Sequence, residues 1–368
     1  MIPPDKFGRI SFSKLPYYFS VLFIFSCFFV SIFSFFLIPD KSVNANTMNL
    51  SIQSMKPGFS VKMLTVPNFE NKKIKTFFFG IEKPVVQYAI NDFWFTTDSI
   101  NFTLFNKFNE PPEIKALALK LFSKKNISNV QYNVQKIKIK ISEDYVKNQK
   151  FIFGTDLYGR DLYSRVILGT RVSLSIGIMA VIISTILGLF LGSIGGYFGG
   201  LPDKIIVYII NVFWSIPTLL LVIAISLSLG KGFWQVYIAI GFSVWVDVAR
   251  LVRGKVISEK NKDYISASRI LGFNNLHIIF YHIVPNILGP LLIIAAANFA
   301  SSILLESGLS FLGIGTQPPL PSWGYMIKEN YQYIILGNAY LALIPAIFLV
   351  FLVSSFMFLS NYYSDKKI

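Results

Sequence analysis

The residues on which most catalytic and metal sites depend are few in this sequence. The chain has one cysteine, Cys27, which lies in an apolar run, and two histidines, His277 and His282. A single cysteine excludes a disulfide framework and a cysteine-based metal cluster, and two histidines do not favour a histidine-rich metal site. We therefore expect no catalytic residue, no metal and no cofactor in this chain.

A loop that could hold the phosphates of ATP is also missing from the sequence. The stretch G-x-x-x-x-G-K-[ST] occurs nowhere: Gly254-Lys255 is followed by Val256, and Ala249 stands where the first glycine should be. We expect that the chain does not hydrolyse ATP itself and is not an enzyme.

Small residues recur at helical spacing in one apolar stretch. Gly188, Gly192, Gly196 and Gly200 stand four residues apart. Such a ridge lets helix backbones approach closely in lipid, so it predicts a packed helix interface and not a phosphate site.

These residues are positioned by apolar segments of membrane-spanning length. Of the 368 residues, 53% are hydrophobic and 14% are charged, against about 25% charged residues in ordinary soluble domains. A span needs about 20 residues and must be helical, because lipid offers no partner for the backbone amides. The sequence predicts six such helices, at residues 15–38, 172–197, 205–229, 236–252, 283–305 and 338–362. Pro217 and Pro345 lie inside the third and sixth segments and favour a kink in each.

The first segment has an alternative interpretation as a cleaved signal peptide. Lys6, Arg9 and Lys14 precede it, and residues 43–45 loosely resemble a cleavage site. A signal peptide has an apolar region of about 7 to 15 residues, and this run of 24 residues, 15–38, is longer. A retained transmembrane helix is therefore favoured.

Three charged residues lie within or at the end of the predicted spans. Asp247 and Arg250 are three residues apart near the end of the fourth span and can pair on one helix face, and Glu306 lies at the outer end of the fifth. Charges at membrane depth are functional candidates. A plain ion pair or a solvated helix end is the alternative for each.

The basic residues predict the orientation in the membrane. The N-terminal tail, the loop 250–282 and the last residues 366–367 are rich in Lys and Arg, and six spans place all three on one side, which is the cytoplasmic side. Residues 39–150 contain 17 Lys, but long loops cross the membrane largely regardless of charge. We therefore expect both termini and Lys260 in the cytoplasm, and Lys73 and Lys124 outside.

The long outer segment has patterns of its own. Residues 130–141 alternate between apolar and polar, which predicts a half-buried strand. Residues 111–125 begin with Pro111-Pro112 and then show helical spacing of apolar residues, which predicts a helix. Residues from about 45 to 150 are thus expected to form a small α+β domain at the outer mouth of the membrane part.

The basic loop 258–285 contains a short amphipathic helix. Tyr264, Ala267, Ile270 and Leu271 recur at helical spacing, and Gly272 permits a C-cap. A helix of this kind can lie on lipid headgroups or dock a cytosolic partner, and its periodicity does not separate the two.

This loop resembles the EAA loop of ABC importer permeases, with Ser266-Ala267-Ser268 in place of Glu-Ala-Ala. By this resemblance the residues that couple to the ATPases are Tyr264, Ser266, Ala267, Ser268, Arg269, Gly272 and Pro285. Since Ser266 replaces the acidic residue, a salt bridge from that position to the ATPase is in question.

Two other stretches resemble the C-type permease subunit of dipeptide and oligopeptide importers. One is residues 309–315 with 317–324, and the other is 153–161 before the second span. The residues of this second stretch that match the family motif are Gly154, Thr155, Asp156, Gly159, Arg160 and Asp161. The resemblance covers about residues 150–368.

The resemblance implies an all-α polytopic membrane protein with six transmembrane helices, the fold of type I ABC importer permeases. An extracytoplasmic α+β insertion would lie between helices 1 and 2, longer than the family leads us to expect. The expected domains are a cytoplasmic tail (1–14), the first transmembrane helix (15–38), the insertion (39–153) and the permease core (154–368).

The resemblance also implies the partners and the function. These are a second permease subunit in a heterodimer, two ATP-binding subunits, an extracytoplasmic peptide-binding protein, membrane lipid and the peptide substrate, without nucleic acid, in a bacterial inner membrane. A permease for nickel or another small solute shares the same motifs. A secondary transporter, which should show inverted repeats with broken helices, and a membrane enzyme, which should show clustered His, Asp or Glu at membrane depth, are rivals from other classes.

Overall fold

The structure is a computed structural model that describes residues 15–67, 80–81, 85–106, 111–123, 130–230 and 232–365. Within these ranges the α-helices of eight or more residues are α1 (Leu15–Leu37), α2 (Val130–Lys140), α3 (Leu162–Phe198), α4 (Gly200–Ser215), α5 (Thr218–Ser228), α6 (Phe233–Lys260), α7 (Asp263–Ile270), α8 (Val284–Leu312), α9 (Trp323–Asn330) and α10 (Tyr340–Asp365). The strands are β1 (Phe59–Thr65), β2 (Gln87–Phe95), β3 (Ser99–Leu104), β4 (Ile114–Ala118) and β5 (Val146–Phe151).

Five helical stretches in the described ranges are long and apolar enough to cross a membrane. They are α1, α3, residues Trp234–Lys260 of α6, the stretch Asn275–Leu312 that contains α8, and Tyr340–Ser364 of α10. The pair α4 and α5 supplies a sixth span if it is counted as one bent element. The six predicted segments are therefore all helical, and α10 continues through Pro345.

The third predicted span is broken, where the sequence analysis expected only a kink. The axes of α4 and α5 differ by 94°. Pro217 has no amide hydrogen to donate and disfavours helical backbone in the residue before it. Ile216 accordingly takes an extended conformation, with φ −93° and ψ 128°.

The membrane helices pack around a core that α9 completes. Trp323, the first residue of α9, is fully buried among side chains of α3, α8 and α10. Its indole Nε1 donates a hydrogen bond to the carbonyl oxygen of Val166, at 2.9 Å. The free thiol of Cys27 on α1 is buried in the same cluster.

The segment between α1 and α3 forms a sheet domain, built on a five-stranded antiparallel sheet in the order β4-β3-β2-β1-β5. The class α+β is as predicted, but the two predicted elements are exchanged. The strand predicted at 130–141 is wrong, because these residues form α2 and begin a π-helical turn, Ile141–Tyr145. Val134, Ile137 and Ile141 face the domain core, and their spacing of three and four suits one helix face as well as alternation suits a strand.

The helix predicted at 111–125 is also wrong. Its apolar residues form β4, which pairs with β3 through Ile100 opposite Leu117, and then a short 3₁₀ turn, Leu119–Phe122. Leu119 and Phe122 are buried in the domain core. Tertiary pairing with β3 thus overrides the local helical spacing. Residues 124–125 of this prediction lie outside the described ranges.

Candidate functional site

The family-like stretch at residues 153–161 contacts the chain where it enters the sheet domain. The backbone N–H of Met55 donates to the Thr155 hydroxyl at 2.9 Å, and that hydroxyl donates to the carbonyl oxygen of Ile52. Gly154 and Gly159 have φ of +77° and +67°, and a Cβ would lie 2.2 Å from the Met55 carbonyl oxygen at the first and 1.7 Å from that of Asn49 at the second. No larger residue fits at either position without moving the backbone.

Four charged side chains, two of them from this stretch, form a buried network. Asp156 Oδ2 accepts a hydrogen bond from Arg160 Nε at 2.5 Å and lies 3.7 Å from Arg165 Nε. Glu329 of α9 accepts from Arg160 Nη2 at 2.9 Å and from Arg165 Nη2 at 3.3 Å. The two acids balance the two bases, as buried charges require.

Asp161 caps the N-terminus of α3. Its Oδ2 accepts hydrogen bonds from the Ser164 backbone N–H, at 3.2 Å, and from the Ser164 hydroxyl. Burial raises the pKa of the Asp161 carboxyl to about 6, although the hydrogen bonds from Ser164 oppose this shift. The cap explains why α3 begins well before the apolar run at 172.

The other family-like stretch, residues 309–315 with 317–324, lies next to Glu306. The carboxylate is fully buried and its Oε1 accepts hydrogen bonds from the hydroxyls of Ser310, at 2.7 Å, and Thr316, at 3.0 Å. The Thr316 hydroxyl also meets that of Ser322, the N-cap of α9. The alternative of a solvated helix end is therefore wrong for Glu306.

The glycine ridge lies where α3 meets α6. A Cβ on Gly188 would lie 2.5 Å from Val248 Cβ, one on Gly192 2.6 Å from the Ala249 carbonyl oxygen, and one on Gly196 2.8 Å from the Arg253 carbonyl oxygen. Gly200 departs from the pattern.

Gly200 instead begins α4 with a φ of +59°, and a Cβ there would meet nothing within 4 Å. Gly199 and Gly200 both have positive φ where α3 ends and α4 begins, so the fourth glycine serves the connection between these helices and not the interface.

The residues of the EAA-like loop are held against the end of α6 and the beginning of α8. The Tyr264 hydroxyl donates to Glu259 Oε2 at 2.7 Å and accepts from Asn286 Nδ2 at 3.1 Å. Burial, and then the hydrogen bond to Glu259, raises the pKa of Tyr264 to about 12. Ser268 donates to the Tyr264 carbonyl oxygen at 2.8 Å, and the Arg269 guanidinium lies over the Tyr197 ring.

Helix α7 ends in the glycine C-cap expected from the sequence. Gly272 has a φ of +82°. Its N–H donates to the Arg269 carbonyl oxygen at 3.0 Å, and the N–H of Phe273 donates to that of Ser268 at 3.2 Å. This pair of bonds is a Schellman motif, which turns the chain sharply after the helix.

An apolar surface that no described residue covers surrounds this turn. Ile270 is 87% exposed, Leu271 74%, Leu276 64% and Tyr281 71%. Ser266, Ala267 and Pro285 are also exposed. Contiguous exposed apolar side chains of this kind mark a surface that another molecule covers.

Asp247 and Arg250 do not form the ion pair that their spacing allows. The Arg250 guanidinium lies over the Trp214 ring of α4, 3.7 Å from its centre. The pairing prediction is therefore wrong for this conformation, because an aromatic face is available across the helix interface.

Sequence reasoning missed Arg165 and Glu329. Arg165 lies one helical turn after the motif residue Asp161, so its position in the sequence could have indicated that it belongs to the same site. Glu329 is far away in sequence and its partners were not visible from spacing.

The described residues hold no group of three or more His, Cys, Asp and Glu arranged to bind a metal ion.

Residues 168–368 match the family described as the binding-protein-dependent transport system inner membrane component. The chain belongs to this family. As an inner membrane component with several apolar helices, it is a multi-pass protein of the inner membrane.

Two curated relatives of this inner membrane component come from Bacillus subtilis. The chain is 40% identical to the oligopeptide transport system permease protein OppC over 178 residues, which are 48% of this chain and 58% of OppC. It is 36% identical to the dipeptide transport system permease protein DppC over 213 residues, which are 58% of this chain and 67% of DppC. The chain thus spans less than two thirds of OppC.

A solved structure of the MetNI methionine ABC transporter, in an inward-facing conformation, is also similar to this inner membrane component. The identity is 20% and the TM-score 0.46, over 55% of this chain and 95% of that one.

Proposed function

We propose that this inner membrane component is the permease subunit of an ATP-driven importer of dipeptides and oligopeptides. The observation that carries the proposal is its 40% and 36% identity to proteins named as oligopeptide and dipeptide permeases. In this proposal a second permease completes the pathway, two partner subunits hydrolyse ATP, and an extracytoplasmic binding protein delivers the peptide. The chain itself catalyses no reaction.

The function is tested with the assembled transporter. The tagged chain is purified from its membrane, its partners are identified by mass spectrometry, and the complex is reconstituted in vesicles with ATP inside. We expect a second permease, two ATPases and uptake of a radiolabelled tripeptide. Uptake of nickel ions without uptake of peptide would contradict the proposal.

We further propose that both termini and the loop around α7 are cytoplasmic and that the sheet domain lies outside. The basic short loops support this orientation. Lys73 and Lys124, the positions expected outside the membrane, are not among the described residues. Lys115 on β4, whose side chain is 44% exposed, serves as the test position instead.

We expect an impermeant thiol reagent added to intact cells to label Lys115→Cys and not Lys260→Cys. The measurement is the labelled fraction before and after the membrane is permeabilised. The parent chain is the control, because its one thiol, Cys27, is buried. Labelling of Lys260→Cys in intact cells would show that the proposed orientation is wrong.

The exposed apolar surface around Gly272 is proposed to dock the ATPases. Helix α7 is anchored through fully buried Ile265 and through Tyr264 to α6 and α8, so a push on its exposed face reaches two membrane helices. Opening and closing would be a shift between two populations, driven by contacts that differ between the two states of the ATPases.

Ala267→Arg is expected to reduce co-purification of the ATPases and to abolish peptide uptake, because it places a charge and a long side chain on the docking face. Gly272→Val is expected to have the same effect by straining a residue at φ +82°. Ser258→Arg adds the same charge to exposed surface near the end of α6 and is the matched control. The coupling role is wrong if both loop variants assemble and transport like the parent.

A further inference from the structure

An acidic side chain that forms no hydrogen bond or ion pair with any described residue lies beside the break between α4 and α5. Asp247 is near the middle of the 28-residue helix α6, and it is exposed on the surface of this chain. Within the described residues its carboxylate makes no hydrogen bond and no ion pair. Arg250, one turn away, lies over the Trp214 ring, and its positive charge still acts on Asp247 from there.

Lipid is a poor environment for this carboxylate. A charged side chain within the apolar part of a spanning helix costs free energy unless it faces protein or a water-filled space. The exposed side of α6 at Asp247 is therefore expected to face protein or water and not lipid.

A cavity of about 210 Å³ opens at the same place. Thr218 of α5, Asp247 of α6, and Asn298 and Ser301 of α8 line it with polar atoms. The extended backbone of Ile216 also borders it. Non-helical backbone is tolerated at membrane depth only where protein buries it or water reaches it, so the broken helix and the unpaired acid independently indicate a wet cavity.

The chemistry of the lining selects a cation. Among the described residues that line the cavity, Asp247 is the one with a formal charge. The Arg250 guanidinium already lies over the ring of Trp214, another lining residue, so the carboxylate is the group that can bind a further cation. A carboxylate hydrogen-bonds strongly to an ammonium group.

We propose that this cavity belongs to the translocation pathway and that Asp247 binds the terminal ammonium group of a passing peptide. The inference rests on the proposed function of peptide import. The amino terminus is mostly protonated at neutral pH, and it is present in every unblocked peptide whatever its side chains. A contact with this group would let one pathway carry peptides of many sequences.

The charge of the cavity is measured through Ser301→Cys, an exposed lining position. The assembled transporter in vesicles is treated with a cationic or an anionic methanethiosulfonate reagent. The rate at which each reagent labels the cysteine is divided by the rate at which the same reagent reacts with a free thiol in solution. We expect the cationic reagent to react about tenfold faster, and Asp247→Asn to remove this preference. The chain with its buried Cys27 alone gives the background rate.

Peptide binding is measured in the same preparation. Trialanine should slow the labelling of Ser301→Cys. Asp247→Asn should raise the trialanine concentration that gives half of this protection by about tenfold. The same substitution should raise the KM of trialanine uptake about tenfold, and Asp247→Glu should largely restore it.

Three results would overturn this inference while peptide uptake continues. They are a thiol at position 301 that neither charged reagent reaches, an unchanged charge preference in Asp247→Asn, and loss of the second permease from that variant, which would make Asp247 an interface residue. Absence of peptide uptake by the parent complex would instead contradict the proposed function, and the labelling rates would still report the charge of the cavity.

Discussion

Glu329→Ala is expected to lower the free energy of unfolding of this chain by about 3–5 kcal/mol. The substitution removes the acceptor that Arg160 and Arg165 share, at 2.9 and 3.3 Å. The Arg165 side chain is only 2% exposed, so water cannot replace the lost partner. The cost is that of leaving buried positive charge without compensation, and denaturation of the purified protein in detergent measures it.

Glu113→Ala is the matched control for this experiment. Glu113 pairs with Lys115 at 3.2 Å, but the two side chains are 65% and 44% exposed. An exposed pair contributes about 0–1 kcal/mol. Glu329→Gln, which keeps a hydrogen-bond acceptor, should lose less than Glu329→Ala. Equal stabilities of Glu329→Ala and the parent would mean that the network carries no net stability.

Gly192→Ala is expected to destabilise the α3–α6 interface by about 1–3 kcal/mol, and Gly192→Leu to prevent purification of a folded protein. The added Cβ would stand 2.6 Å from the Ala249 carbonyl oxygen and 2.9 Å from Val252 Cβ. A backbone oxygen cannot rotate away as a side chain can, so the two helices must separate. The thermal denaturation midpoint of the purified chain measures the loss.

Gly254→Ala separates this packing effect from helix propensity. Gly254 lies within α6, and a Cβ there would meet nothing within 4 Å. Alanine should therefore stabilise the helix by about 0.5–1 kcal/mol. If both Gly192→Ala and Gly254→Ala stabilised the protein, close packing at the ridge would not be needed.

The membrane part of the fold could be predicted because lipid imposes a local rule. A span must be apolar and about 20 residues long, and α1, at Leu15–Leu37, ends within one residue of the predicted boundary at 38. The degree of bending at Pro217 could not be predicted. Proline removes one hydrogen bond, but whether the helix bends slightly or by 94° depends on what packs around the break.

The sheet domain shows the limit of periodicity. Ile137, Ile139 and Ile141 alternate with lysines, yet Ile139 is 57% exposed and Ile141 is fully buried. Alternation and helical spacing overlap in such short runs, and the sheet partner that decides between them lies elsewhere in the chain. Glu329 was missed for the same reason, since its two arginine partners precede it by 169 and 164 residues.

The sheet domain enters and leaves the rest of the chain at one place. Its first and last strands, β1 and β5, are neighbours, with Phe59 opposite Phe151, and the N–H of Gly58 donates to the Phe151 carbonyl oxygen at 2.9 Å. A tight turn across this hydrogen bond could close the chain without the residues between. The domain is therefore a self-contained insertion. It could be gained, lost or exchanged for another domain at this junction, while the membrane helices keep their connections.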